Sequence, residues 1–465
     1  MDKSYRKTKI IATIGPGCAK STILKKINST RVDCFRLNTA HGTFDKYKEW
    51  IELARSVSEI PFMIDVKGPE IRIRTEGLEV KKEKKYKFYF KEKDPYFSFD
   101  FKSDVKVGDK IYFDNGLIQS QVLKINEDNI ELEFISDAHI KSNKGVNIPN
   151  KSLDIPSLSL KDVEAVKFAL ENDFSYIALS FVRSKKDIDN LRKIIGKSDI
   201  GIIAKIENHE GLENIDEIID CTDGVMIARG DLGVEIDEER IPIIQKDICK
   251  KCNENGKIAI VATQMLESMT ENKFPTRAEI SDVANAILDG ADAVMLSGET
   301  AIGKYPNESV EVMNKVALEV ENDIKNKVNG NYKGDISEEL ARAAKELITN
   351  TPVTKAVTIT RSGFSANMLS KYRMSREILA LTDNFETYQK MKLVWGVLPI
   401  LVKEFPKTTL VTEIAIHLKE KNYLKDKDIV AFFAGIKTKE EKISNLLEIH
   451  RIKNLLEYHY KYVLN

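Results

Sequence analysis

An apolar run that ends in a lysine and a carboxylate is unusual for a purely structural strand. Residues Gly201 to Glu207 end on Lys205-Ile206-Glu207, and Gly224 to Asp231 end on Ala228-Arg229-Gly230-Asp231. Strand ends are where α/β folds place their chemistry. Two carboxylates from neighbouring strand ends, Glu207 and Asp231, can hold a Mg²⁺ that keeps several of its waters. A lysine beside that ion, Lys205, can stabilise negative charge developing on an oxygen. The same residues also suit a buried salt-bridge network, because structural ion pairs collect at strand ends too.

Such residues need a frame that brings separate strand ends to one face. At 465 residues the chain is too long for one core, and roughly two to four domains are expected. Lys plus Arg, 72, balances Asp plus Glu, 72, which leaves no basic field for nucleic acid or a membrane surface. No apolar run approaches the length of a membrane span. The start, MDKSYRKTKIIATIG, runs straight into a strand pattern without a secretory apolar region or cleavage site. Cys18, Cys34, Cys221, Cys249 and Cys252 are odd in number and scattered, which fits reduced thiols and a cytoplasmic location. Cys249-Lys-Lys-Cys252 is a CxxC, but it falls in a helical pattern without a second pair. It reads as an ordinary helix surface rather than a zinc or redox site.

Strand-like runs at Lys9–Ile14, Cys34–Leu37 and Pro61–Ile64 alternate with helical segments, among them Phe44–Ser58. From Glu70 to about Ser157 the helical period vanishes. Short β-rich pieces take over at Tyr86–Phe90, Lys110–Phe113, Ile118–Ile125 and Ile130–Ile135, with turn signals at Gly108-Asp109 and Asp114-Asn115-Gly116. The Lys-rich, aromatic-bearing stretch Lys81–Lys93 reads as solvated strands rather than a platform for single-stranded nucleic acid. Alternation resumes with Tyr176–Val182, Gly201–Glu207, Gly224–Asp231, Ile258–Met265 and Ala293–Glu299. Three strands before the insertion and five after it make eight, the count of a (β/α)₈ TIM barrel. A doubly wound open sheet is the competing architecture. The barrel is favoured because polar residues end nearly every strand: Asn38, Asp65, Ser180, Lys205, Asp231, Thr263 and Ser297.

Residues 321–336 are polar and read as a linker. Beyond them Ser337–Thr349 reads as a helix, and Lys355–Thr360, Glu377–Thr382 and Asp428–Phe433 as strands of an open sheet. The charged, tyrosine-rich end, Glu440–Asn465, has no assigned element. The expected division is a barrel at 1–68 and 157–330, an inserted small all-β lid at 69–156, and a C-terminal α/β open-sheet domain at 331–465. Gly298-Glu-Thr-Ala-Ile-Gly303-Lys304-Tyr305 nearly spells a phosphate-binding loop. Tyr305 stands where a Mg²⁺-binding hydroxyl is needed and Pro306 follows at once, so it reads as a strand-end loop.

Several blocks occur in order along the chain: Thr8-Lys-Ile-Ile-Ala-Thr-Ile-Gly-Pro16, Arg36-Leu-Asn-Thr-Ala-His-Gly42, Asp65-Val-Lys-Gly-Pro-Glu-Ile-Arg72 and Lys144-Gly-Val-Asn-Ile-Pro149. They continue with Ser180-Phe-Val-Arg183, Ala204-Lys-Ile-Glu-Asn208, Ala228-Arg-Gly-Asp-Leu-Gly-Val-Glu235, Ala262-Thr-Gln-Met-Leu-Glu-Ser-Met269 and Pro275-Thr-Arg-Ala-Glu279. Together they resemble the pyruvate kinase family over nearly the whole length. The resemblance implies a barrel with a β domain inserted after the third strand and a C-terminal α/β domain. It also implies transfer of a phosphoryl group from phosphoenolpyruvate to ADP, giving pyruvate and ATP, the last step of glycolysis.

By the same resemblance, Glu207 and Asp231 hold Mg²⁺ or Mn²⁺, Lys205 stabilises charge on the phosphoryl group and the enolate oxygen, and Arg36 clamps the phosphate. The N–H groups of Gly230 and Asp231, at a helix start, receive the substrate carboxylate, and Thr263 positions the group or water that protonates the enolate carbon. Asn38, His41, Arg72 and Lys144 are the implied nucleotide residues. Arg72 and Lys144 bracket the insertion, which would close as a lid hinged near Pro69 and Pro156. For K⁺ the resemblance implies Asn38, Asp65 and the carbonyl of Val66. Ala40 stands where the family has a hydroxyl, while Glu70 matches the acidic residue of K⁺-dependent members, so K⁺ is expected to assist but to bind weakly. Asn115 replaces a second aspartate before Gly116. Thr360, Arg361, Ser362, Gly363 and Ser365, ahead of a helix at Ala366–Arg373, resemble the family's sugar-phosphate effector loop. A homotetramer is implied, with Pro275–Asp282 and the C-terminal domain at its contacts.

Two other functions fit parts of this pattern. One is an enolate-stabilising Mg²⁺ lyase or aldolase, against which the lid cations Arg72 and Lys144 speak, since a lyase needs no nucleotide clamp. The other is a catalytically weakened phosphate-binding homologue, against which intact Arg36, Lys205, Glu207, Asp231 and Thr263 speak.

Overall fold

Eight parallel strands close into a barrel in the computed structural model, which describes residues 5–91, 93–149, 151, 153, 155–324, 335–405, 411–435 and 444–462. The first three are β1 (Lys9–Thr13), β2 (Cys34–Asn38) and β3 (Phe62–Val66). The chain then leaves for β4 (Ile71–Arg74), β5 (Leu78–Val80), β6 (Lys85–Tyr89), β7 (Tyr96–Phe97), β8 (Lys110–Phe113), β9 (Ile118–Ile125), β10 (Asn129–Phe134), β11 (Ala138–Ile140) and β12 (Gly145–Asn147). Seven of these form a second, smaller closed barrel in the order β10-β6-β7-β4-β12-β8-β9, around Phe88, Phe97, Phe101, Phe113 and Phe134. The large barrel resumes with β13 (Tyr176–Leu179), β14 (Gly201–Ile206), β15 (Gly224–Ala228), β16 (Ile258–Ala262) and β17 (Ala293–Leu296), and β17 pairs with β1 to close it.

Alternation along each strand divides the barrel's apolar residues between two cores. On β1, Ile10 and Ala12 face the surrounding helices, while Ile11 points inward with Met63, Ala178, Ile203, Met226, Ile260 and Met295. That inner filling is continuous with Ala356, Ile378 and Phe433 of the C-terminal sheet. Arg373 ties the two domains together, donating to Asn253 Oδ1 at 2.8 Å, Asp292 Oδ1 at 2.8 Å and the carbonyl of Gly290 at 2.5 Å. One mouth of the barrel is thus sealed for stability, which leaves the opposite, strand-end face for chemistry.

Several expected boundaries move. β15 stops at Ala228, and a helix, Arg229–Glu235, begins there, so Asp231 lies in a first helical turn rather than on a strand. A carboxylate suits that position because it faces the positive end of the helix dipole. β16 and β17 also end earlier than expected, and Glu299 falls in a short helix, Gly298–Ala301. Pro306 does not follow a plain loop: it opens the helix Pro306–Val320, where a missing N–H costs nothing. Cys249 and Cys252 are not on a helix surface. They lie on the inner face of Ile241–Glu254 with Gln245 and Ile248 and are fully buried.

The C-terminal domain is a sheet of β18 (Lys355–Ile359), β19 (Ile378–Thr382), β20 (Val397–Leu401), β21 (Ile429–Ala434) and β22 (Leu446–Arg451), in the order β20-β19-β18-β21-β22, with β22 antiparallel. The two edge strands were not expected. Pro399 in β20 is tolerated because an edge strand has one side without a partner. The helix after β18 runs Phe364–Lys371, starting before Ala366. Most of the expected linker, 325–334, and positions 440–443 and 463–465 of the charged end lie outside the described residues; β22 and the helix Ile452–Tyr462 occupy the rest of that end.

Candidate active site

Asp65, next to last in β3, lies almost wholly buried at the rim of the barrel. Its Oδ2 accepts from Arg36 Nε at 2.8 Å and lies 2.7 Å from Arg36 Nη2, while its Oδ1 lies 3.1 Å from Lys205 Nζ. Lys205 Nζ also donates to Ser180 Oγ at 2.7 Å and sits 2.8 Å from Glu207 Oε1. Arg36 Nη1 donates to Thr13 Oγ1 at 2.9 Å. Strands β1, β2, β3 and β14, with the residue following β13, therefore each send a side chain into one network.

Burial alone would push the Asp65 carboxyl up, but Lys205 and Arg36 outweigh it and hold Asp65 below the usual carboxylate range. Burial likewise works against a charge on Lys205, and Asp65 and Glu207 overcome it, so the ammonium is held above the ordinary lysine value. Glu207 goes the other way: burial raises its carboxyl, Lys205 opposes, and the charge of Asp231 adds to the rise. Its Oε2 accepts from the backbone N–H of Phe181 at 2.8 Å, and Phe181 takes a left-handed φ of 53° to supply it. A buried carboxylate burdened by a second one gains from a cation, and two carboxylates are as many as Mg²⁺ commonly takes from a protein. The pair fits such an ion, although no group of three or more His, Cys, Asp or Glu gathers for a metal among the described residues.

Thr263 follows β16 with φ 67°, and Gln264 follows it with φ 53°. A β-branched residue rarely adopts this backbone, so surrounding contacts must hold it. Arg229 does so, donating through Nη2 to the carbonyls of Thr263 at 2.8 Å and Gln264 at 3.2 Å, and through Nη1 to Asp282 Oδ1 at 2.7 Å. Thr263 Oγ1 accepts from Gly230 N at 2.8 Å. Of the two N–H groups expected to receive a substrate carboxylate, the Gly230 one is thus engaged by Thr263.

The lid stands over this face. A cleft between them is lined by Glu70, Asn115 and Gly145 on one side and by Phe181, Asp231 and Glu235 on the other. Lys144 precedes β12 and lies 2.8 Å from Asp114 Oδ1; Arg72, on β4, pairs with Glu70 and the carbonyl of Asn143. The cleft is lined by their neighbours Gly145 and Ile71 rather than by these two side chains. His41 is exposed, and its carbonyl accepts from Tyr47.

Both lid crossings are pinned to the barrel. Gly68 N donates to Asp162 Oδ1 at 3.2 Å, and Arg183 donates to the carbonyls of Leu153 at 2.6 Å and Ile155 at 2.7 Å. Gly68 has φ 73°, and a Cβ there would sit 2.9 Å from Ser180 Cβ, so only glycine fits beside the partner of Lys205.

The oxygens expected to serve K⁺ already have partners: Asn38 Oδ1 accepts from Ala40 N at 3.0 Å, Val66 O accepts from Ser180 Oγ at 2.7 Å, and Asp65 is shared by Arg36 and Lys205. Each oxygen keeps a further lone pair, so the set fits a weakly held ion with one protein oxygen fewer. In the C-terminal domain, Thr360 Oγ1 accepts from Gly363 N at 2.9 Å and Gly363 takes φ 85°, folding the loop into a turn at the start of Phe364–Lys371. Arg361 lies 3.4 Å from Asp383, Ser362 is exposed, and Ser365 Oγ is 2.8 Å from Ser444 Oγ.

The roles of Ser180, Arg183, Arg229 and Asp162 emerge only from the structure. The first three stand inside quoted motif blocks, and Ser159 to Asp162 has the spacing of a helix capping box, which the structure forms.

The pyruvate kinase barrel-domain family matches residues 5–310, and the pyruvate kinase alpha/beta-domain family matches residues 338–450. The chain is 38% identical to a pyruvate kinase of Staphylococcus epidermidis, over 96% of this chain and 80% of that protein. It is 38% identical to a pyruvate kinase of Sporosarcina psychrophila, over 97% of this chain and 81% of that one. The crystal structure of a pyruvate kinase from Cryptosporidium parvum matches with a TM-score of 0.91 at 33% identity, covering 97% of each chain. With both domain families matched and the relatives aligned across nearly all of it, this chain belongs to the pyruvate kinase family.

Proposed function

We propose that the chain transfers the phosphoryl group of phosphoenolpyruvate to ADP, giving pyruvate and ATP, with the residues around Asp65 as its reaction centre. The observation that carries this assignment is the buried network in which Asp65 fixes Arg36 and Lys205 at once. Phosphoryl transfer asks for fixed charge and position more than for covalent chemistry. Lys205, kept protonated by Asp65 and Glu207, faces the oxygen on which charge develops. Arg36, braced by Asp65 and Thr13, orients the phosphate without having to reorganise. Thr263 orients the proton source for the enolate carbon, and its strained backbone supports an active role. Gly230 and Asp231 bind the substrate carboxylate once the Gly230 N–H exchanges its Thr263 partner. Glu207 and Asp231 would hold Mg²⁺ or Mn²⁺, which would supply neutralisation of the substrate's negative charge.

Arg72 and Lys144 on the lid, with Asn38 and His41 on the barrel, bind the nucleotide and exclude water when the lid closes. K⁺ binds weakly at Asn38, Asp65 and Val66, since Ala40 contributes no hydroxyl. The turn from Thr360 to Ser365 receives a sugar-phosphate effector. The enzyme works in the cytoplasm as a homotetramer; its free thiols support the first, and exposed Phe274, Ile280 and Leu288 around Pro275–Asp282 support the second. Among the described residues no helix is long and apolar enough to cross a membrane. A Mg²⁺ titration after EDTA treatment tests the assignment: turnover returns in the wild type and not in Glu207→Gln, and an equal return in both would contradict it.

A further inference from the structure

The helix Arg229–Glu235 begins at the reaction centre and ends on a carboxylate that the chemistry does not use. Glu235 is half-buried, at the helix end where peptide dipoles disfavour negative charge. It also follows Asp231 by four residues, so two like charges share a helix face. Burial pushes its carboxyl up, the amide of Asn147 opposes, and Asp231 adds to the rise. Three features thus disfavour this charge, and the group that answers it comes from the lid: Asn147 Nδ2 donates to Glu235 Oε1 at 2.9 Å.

Asn147 belongs to β12, whose register sets Gly145 opposite Arg72, with Lys144 one residue earlier. One strand pair therefore carries both lid cations and the amide that reaches the barrel. Glu235 lines the cleft over the reaction centre and also a second cleft behind it, so the contact forms the partition between them. That second cleft sets Lys106 and Lys110 of the lid against Asp237, Glu238 and Glu239 of the barrel, and Gly116 at the lid's turn packs on Val234.

We propose that Asn147 and Glu235 are a latch, a pair of positioning residues that fixes the register of the lid against the barrel. This hydrogen bond ties the strand pair carrying Arg72 and Lys144 to the far end of the helix Arg229–Glu235, in addition to the crossings pinned by Asp162 and Arg183. The inference rests on the reading of Arg72 and Lys144 as nucleotide cations.

The test uses the full-length enzyme with Asn147→Asp, Glu235→Gln and the two combined. Asn147→Asp sets two carboxylates against each other, while the combined variant rebuilds the bond with donor and acceptor exchanged. The expected result for Asn147→Asp is a rise of about tenfold or more in KM for ADP, the scale of losing a hydrogen bond to a charged group. Amide exchange in Gly145–Asn147 and Arg229–Glu235 quickens, and calorimetric affinity for phosphoenolpyruvate with Mg²⁺ stays unchanged. The combined variant returns to within about twofold of wild type. A combined variant no better than Asn147→Asp, or an Asn147→Asp enzyme with unaltered KM and exchange, overturns the latch. Should Asn147→Asp fail to fold, Asn147→Ala, Glu235→Ala and their double variant read the same coupling. A double variant no worse than either single supports the latch, and losses that multiply overturn it. Lys205→Met separates the two levels: if it turns over normally the reaction centre is misassigned, and if it is inactive while the exchanged pair fails, only the latch falls.

Discussion

Asp65 holds Arg36 with one carboxylate oxygen, at 2.8 Å, and Lys205 with the other, at 3.1 Å. The three residues come from separate strands that lie within one run of the sheet, β2-β3-β13-β14. Asp65→Asn leaves two buried cations short of a counter-charge. Breaking a buried pair in this way costs about 3–5 kcal/mol. A lower denaturation midpoint together with a fall in kcat of about a hundredfold or more is expected. A variant with wild-type stability would show that water already solvates the network.

Gly68 links the lid's first crossing to Lys205 through Ser180. Gly68→Ala adds a left-handed strain of about 1–3 kcal/mol and drives a Cβ to 2.9 Å from Ser180 Cβ. Gly196→Ala is the matched control, because Gly196 has φ 66° with nothing within 4 Å. Both variants should melt lower, and only Gly68→Ala should lose kcat. Equal activity in the two would break the link from hinge to lysine.

Lys392 joins the C-terminal domain to the barrel by donating to the carbonyl of Glu59 at 2.6 Å. Burial lowers its pKa from 10.5 to about 8, against the pull of Glu59 and Asp33. Below about 8 the folded protein carries a charge its surroundings disfavour, and that cost fades as the pH rises from about 8 to 10.5. Lys392→Met should therefore raise the melting temperature most at pH 7, with a gain that shrinks toward pH 10. A gain independent of pH would contradict this.

Burial raises the thiol pKa of Cys18 to about 11 and lifts Cys34, Cys249 and Cys252 well above the ordinary value. The thiolate is the reactive form. Iodoacetamide at pH 7.5 should modify the half-buried Cys221 first, and the CxxC only after unfolding. Early labelling of Cys249 or Cys252 would show that their helix opens in the native state.

Much of this was legible in the residues, for identifiable reasons. Strands buried on both faces appear as continuous apolar runs, and polar residues at their ends marked the open rim, so the eight-stranded barrel could be read directly. The resemblance placed Gly230 and Asp231 at a helix start, which the structure has, but the end of the preceding strand at Ala228 was blurred because no Ser, Thr or Asn cap separates it from Arg229. The CxxC looked exposed because two lysines separate its cysteines, yet Gln245, Ile248, Cys249 and Cys252 fall on one helical face, a period that could have placed them inward. β22 alternates weakly on a half-exposed edge, so its pattern carried little signal. The lid contacts of Arg183 and Glu235 join segments far apart in sequence, and no local pattern announces such pairs.

In the proposed reaction Lys205, fixed by Asp65, drives phosphoryl transfer. The direct measurement is pyruvate formation from phosphoenolpyruvate and ADP with Mg²⁺, with and without K⁺, in the wild type and in Lys205→Met. Turnover in the wild type, a modest gain with K⁺, and loss of turnover in a variant that still folds are expected. No turnover from a folded wild type that binds phosphoenolpyruvate, or undiminished turnover in Lys205→Met, would contradict it.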